Sequence, residues 1–249
     1  MAQAASEAVR NDLAPTGALR VAIAVGPTGS PLWATKDPAS GAPRGVTVDL
    51  GRALADRLGV PVDFVVYSSS GEITDAAGSG AWDVSFMPVD DERRTKVDFG
   101  PDYALGESTY LVAPGSTIAA IPEVDRAGVR VAGVENTTTI RAARRSLRNT
   151  TVTGTKGATE ILELLRAGGV DAVALGRDSL EDFAEMLPGS RVLDGYFWAV
   201  SVAVATPPGR KAGLAFASAF IEDVKADGTV ERSFTAAGLR GAKVAPPAA

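Results

Sequence analysis

The stretch LRVAIAVG, residues 19–26, is followed by SGAWDVSFMP, residues 79–88, and the same pattern returns as VRVAGVEN, residues 129–136, followed by RAGGVDAVALG, residues 166–176. Each half reads as a short apolar β run, a helix, and a Gly/Ala-rich helix end that leads into a second run opening on Trp-Asp-Val or Val-Asp-Ala. A chain that repeats this order predicts two Rossmann-like α/β lobes, each a parallel sheet closed by right-handed crossovers. Two lobes imply a cleft, and in such sheets ligands sit beyond the carboxyl ends of the strands.

Working outward, VTVDLGRALADRLGV, residues 46–60, has apolar residues at 46, 48, 50, 54, 55 and 58, which predicts a strand end passing into an amphipathic helix stopped by Gly59. PVDFVVY reads as a strand, and ITDAAGSG as a short helix feeding the Trp82 strand. The second half predicts strand VRVAGVE, helix TTIRAARRSLR, strand TTVTGT, helix ATEILELLRAGG and strand VDAVALG. Two further apolar runs, STYLVAP (108–114) and FWAVSVAVAT (197–206), flank that half, so the chain crosses between lobes twice and makes a two-strand hinge. The expected division is lobe 1 at 18–110 plus 200–240 and lobe 2 at 113–196, with residues 1–17 and 241–249 as flexible termini. The final helix, AGLAFASAFIEDVKADG, is expected to pack on the first lobe.

Composition narrows the function. The chain has 249 residues and 45% hydrophobic content, enough for burial and without a membrane-length apolar run. Thirty acidic against 25 basic residues give a net charge of −5, so no broad basic face is available for nucleic acid. No Cys and no His removes disulfides, thiol nucleophiles, imidazole bases and the commonest zinc ligands, and no motif calls for a metal or another cofactor. MAQAASEAVRNDLAPTG lacks a basic n-region and an apolar core, so it is not read as a signal peptide, and a cytoplasmic location stays open beside a lost leader.

The segments after the strand ends are GPTGSPLW, MPVDDERR, ENTTT and GRDS. Together with LRVAIA, GVTVDLGRALADRLG, GAWDVSFMPVDDERRTKVDFGPDY, GVENTTT and GGVDAVALGRDS, in this order and spacing, they make the chain from about Leu19 to about Leu239 resemble bacterial extracellular solute-binding proteins of family 3, the polar amino acid uptake type. The resemblance implies the type II periplasmic binding protein fold, with a ligand held between two lobes that close on it.

It also implies site residues. In the family an Arg precedes a Val-Asp-Phe by a fixed distance and pairs with the ligand's α-carboxylate; counting back from Phe99 gives Arg93, at the rim of the cleft, with Arg94 facing water. Three departures stand out. The family's Thr is Asp90 here, which either receives a ligand ammonium or pairs with Arg93 and holds it. The family's ammonium-binding Asp falls on Gly176, with Arg177 beside it; Arg177 either binds a second anionic group or pairs with Asp178 or Glu181. The stretch from Asp83 to Arg93 looks shorter than in typical members, so the surroundings of Met87 and Pro88 do not carry over directly. The family's Gly-Thr-Thr becomes Thr137, Thr138 and Thr139 after Asn136, where helix N–H groups and the Thr138 hydroxyl suit a carboxylate. Trp33 is either an aromatic platform for the ligand or core. Met87, Asn136, Glu107 and Tyr196 complete the candidates, and Trp82, Phe86 and Trp198 read as packing.

The expected function is capture of a small carboxylate, an amino acid or related organic acid, for an ABC-transporter permease by a monomeric, non-catalytic protein that is periplasmic or extracellular. Two other readings stay open: a cyclohexadienyl dehydratase-like enzyme with Asp90, Glu107 or Glu135 as general acid, and a cytoplasmic ligand sensor.

Overall fold

A computed structural model of the chain describes residues 5–25, 30–239 and 241–248. In chain order it has α1 (Glu7–Leu13), β1 (Leu19–Ala24), a two-stranded ribbon β2 (Thr35–Lys36) and β3 (Pro43–Arg44), α2 (Val46–Leu58), β4 (Val62–Tyr67), α3 (Ser70–Asp75) and β5 (Val84–Pro88). A long strand β6 (Asp98–Val112) follows, then β7 (Arg130–Val134), α4 (Thr138–Ser146), β8 (Thr151–Thr155), α5 (Ala158–Arg166), β9 (Ala172–Gly176), α6 (Arg177–Met186) and β10 (Arg191–Val192). The chain ends with β11 (Trp198–Thr206), α7 (Lys211–Ala226), α8 (Thr229–Ala236) and β12 (Lys243–Val244). It divides into two compact units, Met1–Leu105 with Ser201–Ala249, and Gly106–Val200. The chain passes from one to the other inside β6 and inside β11.

In unit 1 the strand order is β4-β1-β5-β11, with β4, β1 and β5 parallel and β11 antiparallel to β5. Every residue of β5 is buried: β1 and β11 pair with its edges, and side chains such as Ile73, Trp82 and Val97 pack over Met87. Ala22, Ile73, Trp82, Met87 and Val97 form one core cluster, and the Trp82 indole N–H donates to the Ile73 carbonyl at 3.1 Å. Unit 2 has the order β6-β9-β7-β8, with β7 parallel to both its neighbours and β6 antiparallel to β9. One side of its sheet packs Tyr110, Val131, Ala143 and Leu147 together; the other packs Leu111, Ile161, Leu165, Val173 and Phe183. The repeated β-α-β order is therefore present in both units.

Several boundaries differ from the sequence expectation. No strand end lies within residues 46–60: β3 stops at Arg44, and α2 is helical from Val46, its first N–H groups meeting main-chain carbonyls, with Val46 N–H donating to Pro31 O and Thr47 N–H to Trp33 O. This close approach requires Gly45, where a Cβ would stand 2.7 Å from Trp33 O. Gly59, at φ 70°, closes the helix as expected. The crossing strand starts at Asp98 rather than near Ser108. Its first half carries Gly100, Pro101 and Gly106, which hide a strand pattern, and Gly100 is where α7 packs, since a Cβ there would lie 2.6 Å from Ser218 Oγ. In GRDS, expected beyond a strand end, Gly176 is still the last residue of β9 and Arg177 already opens α6, and a second helix, α8, follows α7.

The ends of the chain depart most from expectation. In the segment read as a flexible terminus, Ser6 caps α1 and Leu13 is fully buried. Arg210 donates to the carbonyls of Asn11 and Asp12, and Gly213 N–H donates to the Asp12 carboxylate, which seats α1 on α7. At the other end β12 pairs with Ala104 and Leu105 of β6, and Ala245 is buried.

Candidate functional site

Unit 1 places Arg93 in a single 3-10 turn, Arg93–Thr95, shortly after β5. The side chain is not at a rim: it is 3% exposed, with Nη1 donating to the Pro88 carbonyl at 3.0 Å and Nη2 to Ser70 Oγ at 2.8 Å. Pro88 is the last residue of β5 and Ser70 the first of α3, so the guanidinium is fixed where a strand ends and a helix begins. Asp90 accepts from the Arg93 backbone N–H at 2.9 Å and lies 4.0 Å from its Nε. Of the two roles open to Asp90, holding Arg93 is the one its geometry displays. Arg94 is exposed and lies over the Phe99 ring, 5.6 Å from its centroid.

Of two further unit 1 candidates, one sits differently from expectation. Met87 is fully buried among Ile73, Trp82 and Val97, with its sulfur 3.8 Å from Thr74 Oγ1, and so is a core residue. The packing of Ile73, Trp82 and Val97 on that face of the sheet covers it. Trp33 is half-buried, its carbonyl accepting from Thr47 Oγ1 at 2.7 Å, so its loop is tied to the start of α2. Of the loop GPTGSPLW, residues 26–29 lie outside the described residues. Ser70, which sequence reasoning missed, is the direct partner of Arg93; a Ser in the run SSS carries no signal until the strand end is known.

Unit 2 places its candidates at the carboxyl ends of β7 and β9. Asn136 takes φ 60°, the left-handed region that asparagine tolerates, and turns the chain from β7 into α4. Thr137 is the N-cap: its hydroxyl accepts from Ile140 N–H at 3.2 Å and donates to Val134 O at 2.8 Å. Thr138 opens the helix and is 4% exposed, and Thr139 Oγ1 meets Ser108 Oγ at 3.1 Å. Glu135 forms a two-pronged pair with Arg144, 2.8 Å at each oxygen, which holds its carboxyl below the ordinary value.

Arg177 pairs with neither Asp178 nor Glu181. Its Nε donates to Glu107 Oε2 at 3.1 Å and its Nη2 donates to the Gly195 carbonyl. Two candidates named separately are thus joined, because β6 and β9 are neighbours and Ser108, next to Glu107, pairs with Gly176. Tyr196 follows Gly195 and is 52% exposed. Trp82 and Phe86 are core, Phe86 meeting Tyr103 edge-on at 5.8 Å.

Comparison with known proteins gives these positions a context. The family model for bacterial extracellular solute-binding proteins, family 3, matches residues 21–236. A glutamine-binding protein of Geobacillus stearothermophilus is 25% identical over 171 residues, which is 67% of this chain and 64% of that protein's length. Among solved structures, an ancestral amino acid-binding protein described as a precursor of cyclohexadienyl dehydratase has a TM-score of 0.78 at 26% identity, covering 91% of this chain and 97% of that one. An ancestral arginine-binding protein bound to glutamine has a TM-score of 0.75 at 26% identity, covering 88% and 97%. The family match takes in both units and every candidate from Trp33 to Tyr196, and the chain belongs to the bacterial extracellular solute-binding proteins of family 3.

Proposed function

We propose that the protein binds a small amino-acid-like carboxylate and serves ABC-type import outside the cytoplasm, as a binder and not an enzyme. The observation that carries this reading is Arg93: a side chain 3% exposed, its guanidinium fixed by Pro88 O and Ser70 Oγ at the carboxyl end of β5, where α/β units take their ligands. A planar cation pre-set in this way loses little conformational freedom when it pairs with a carboxylate. The relatives support the ligand class, since the curated and solved proteins named above are described as binding glutamine, arginine or amino acids. In unit 2 the first turn of α4, with Thr138 and Thr139, is the second proposed contributor, because N–H groups at a helix start favour an anion.

A general acid needs a carboxyl raised toward neutrality. Glu135 is pulled the other way by Arg144, which supports binding over dehydratase chemistry.

A thermal-shift screen against amino acids, their deaminated and decarboxylated relatives and small dicarboxylates tests the reading. A ligand that binds only the folded chain raises the melting temperature in proportion to RT ln(1 + [L]/Kd). Stabilisation by ligands that keep the carboxylate, and none by their decarboxylated relatives, is the expected outcome. Silence across the panel, or turnover of a cyclohexadienyl acid, overturns it.

A further inference from the structure

Glu107 and Arg177 are offered by the sequence as two separate ligand groups, and the fold spends them on each other. Their side chains are only 21% and 18% exposed. Arg177 is the first residue of α6, directly after β9, and so stands at the carboxyl end of a strand that runs parallel to β7. The Ser108–Gly176 pairing sets Glu107 level with that end, and the Ser108 hydroxyl reaches Thr139 in the first turn of α4. The guanidinium therefore lies at the edge of the sheet where an α/β unit takes ligands.

What surrounds this guanidinium is a recognition set. The Glu107 carboxylate takes Nε and the main-chain carbonyl of Gly195 takes Nη2. A charged acceptor and a neutral acceptor on two different segments suit a planar group that carries five donors in a fixed fork, and suit a compact ammonium less well. The group that fills the set belongs to the protein.

We propose that Glu107 and the Gly195 carbonyl form a guanidinium site that Arg177 occupies from within, and that this occupancy turns away ligands with cationic side chains while admitting neutral or anionic ones. The selectivity half rests on the amino-acid-binding reading above; the site itself rests on the geometry of unit 2. With Arg177 in place the pair has no net charge. Without it, a mostly buried carboxylate is left with its charge uncompensated by that arginine, and a cation from solution gains what Arg177 supplied.

The test compares the unaltered protein, Arg177→Ala, and the double variant Arg177→Ala with Glu107→Gln. Methylguanidinium is assayed by thermal shift, and L-arginine and L-glutamine by calorimetry. Methylguanidinium should stabilise Arg177→Ala and leave the other two forms unmoved. L-Arginine should bind Arg177→Ala on the order of 10- to 100-fold more tightly than it binds the unaltered protein, the range of one charge-assisted pair, with the gain lost in the double variant. Equal methylguanidinium responses in all three forms overturn the site. A methylguanidinium response without any gain for arginine overturns the selectivity and leaves the site standing. If no amino acid binds any form, the function proposed above fails, while methylguanidinium still decides the site. Should Arg177→Ala fail to fold, Arg177→Met keeps the apolar stem and allows the same comparison.

Discussion

Arg20 and Asp83 in unit 1 hold the positions that Arg130 and Asp171 hold in unit 2, and the two pairs share one hydrogen-bond scheme. In each, the arginine sits at the start of the first strand, its backbone N–H and Nε donate to Oδ2, and Nη2 donates to Oδ1. In each, the aspartate N–H returns to the arginine carbonyl at 2.9 Å. The surroundings differ. The Asp83 side chain is fully buried and Asp171 is 35% exposed; Arg20 is 20% exposed and Arg130 52%. Trp82, buried and tied to Ile73 O, precedes Asp83, where unit 2 has the smaller Val170, and Arg20 gains a further bond to Gly80 O. The same local geometry is repeated because a strand start meets an incoming strand in both units. How much stability it carries is decided by what covers it.

The largest effect follows directly. Asp83→Ala should cost about 3–5 kcal/mol, the range for breaking a buried pair and leaving the partner charge and N–H uncompensated. Asp171→Ala should cost far less, because water takes over an exposed pair and salt screens it. Urea denaturation of both variants checks this. Equal losses would mean that the shared geometry, and not its cover, sets the energy.

A second contrast concerns the groups that the proposed function draws from each unit. In that proposal unit 1 contributes a buried charge, Arg93, and unit 2 contributes neutral groups at the start of α4. Arg93→Ala should abolish ligand binding and also lower stability by about 2–4 kcal/mol, since Pro88 O and Ser70 Oγ would each lose a buried partner. Arg93→Lys keeps the charge but loses the fork, so it should recover part of the stability and little of the affinity. Thr138→Ala should weaken binding with a smaller stability loss, because Thr137 caps the helix. Calorimetry beside urea denaturation separates the two readouts, and an Arg93→Ala protein with full affinity would remove Arg93 from the ligand.

What was legible in the sequence depended on how local each signal was. The repeated β-α-β order could be read because apolar runs and glycine helix ends are neighbours in the chain, and the Gly59 stop and the Trp82 core position came from the same signals. The strand reach of residues 98–107 was hidden by Gly100, Pro101 and Gly106; Gly100 is fitted to α7 at Ser218, and Gly106 to Val200 of β11. Helix α1 was missed because seven residues, EAVRNDL, show too little periodicity, and Leu13 becomes core only when α7 arrives. Arg93 was nominated through the family resemblance, by its spacing to Phe99, but its hydrogen bond to Ser70 joins residues 23 positions apart and could not be read from the chain. The partner of Arg177 lies 70 residues away. Sequence could nominate Glu107 and Arg177, and only the β6–β9 pairing could join them.

The smallest expected effect returns to the paired arginines and is a matter of pH. The Asp171 carboxyl is held below the ordinary aspartate value, first by the hydrogen bonds of the Arg130 side chain and against a partial desolvation that works the other way. Folded Asp171 therefore gives up its proton more readily than unfolded Asp171. The stability linked to this shift is fully present above about pH 4, the ordinary value in an unfolded chain, and is lost as the pH falls through the lower folded value. Asp171→Asn keeps the shape and removes the titration, so its urea midpoint should fall less steeply between pH 5 and pH 3 than that of the unaltered protein. At high salt the difference should shrink, because a pair this exposed is screened. Parallel acid limbs for the two proteins would mean that the water-facing pair adds nothing to acid stability, and would sharpen the contrast with the sealed pair of unit 1.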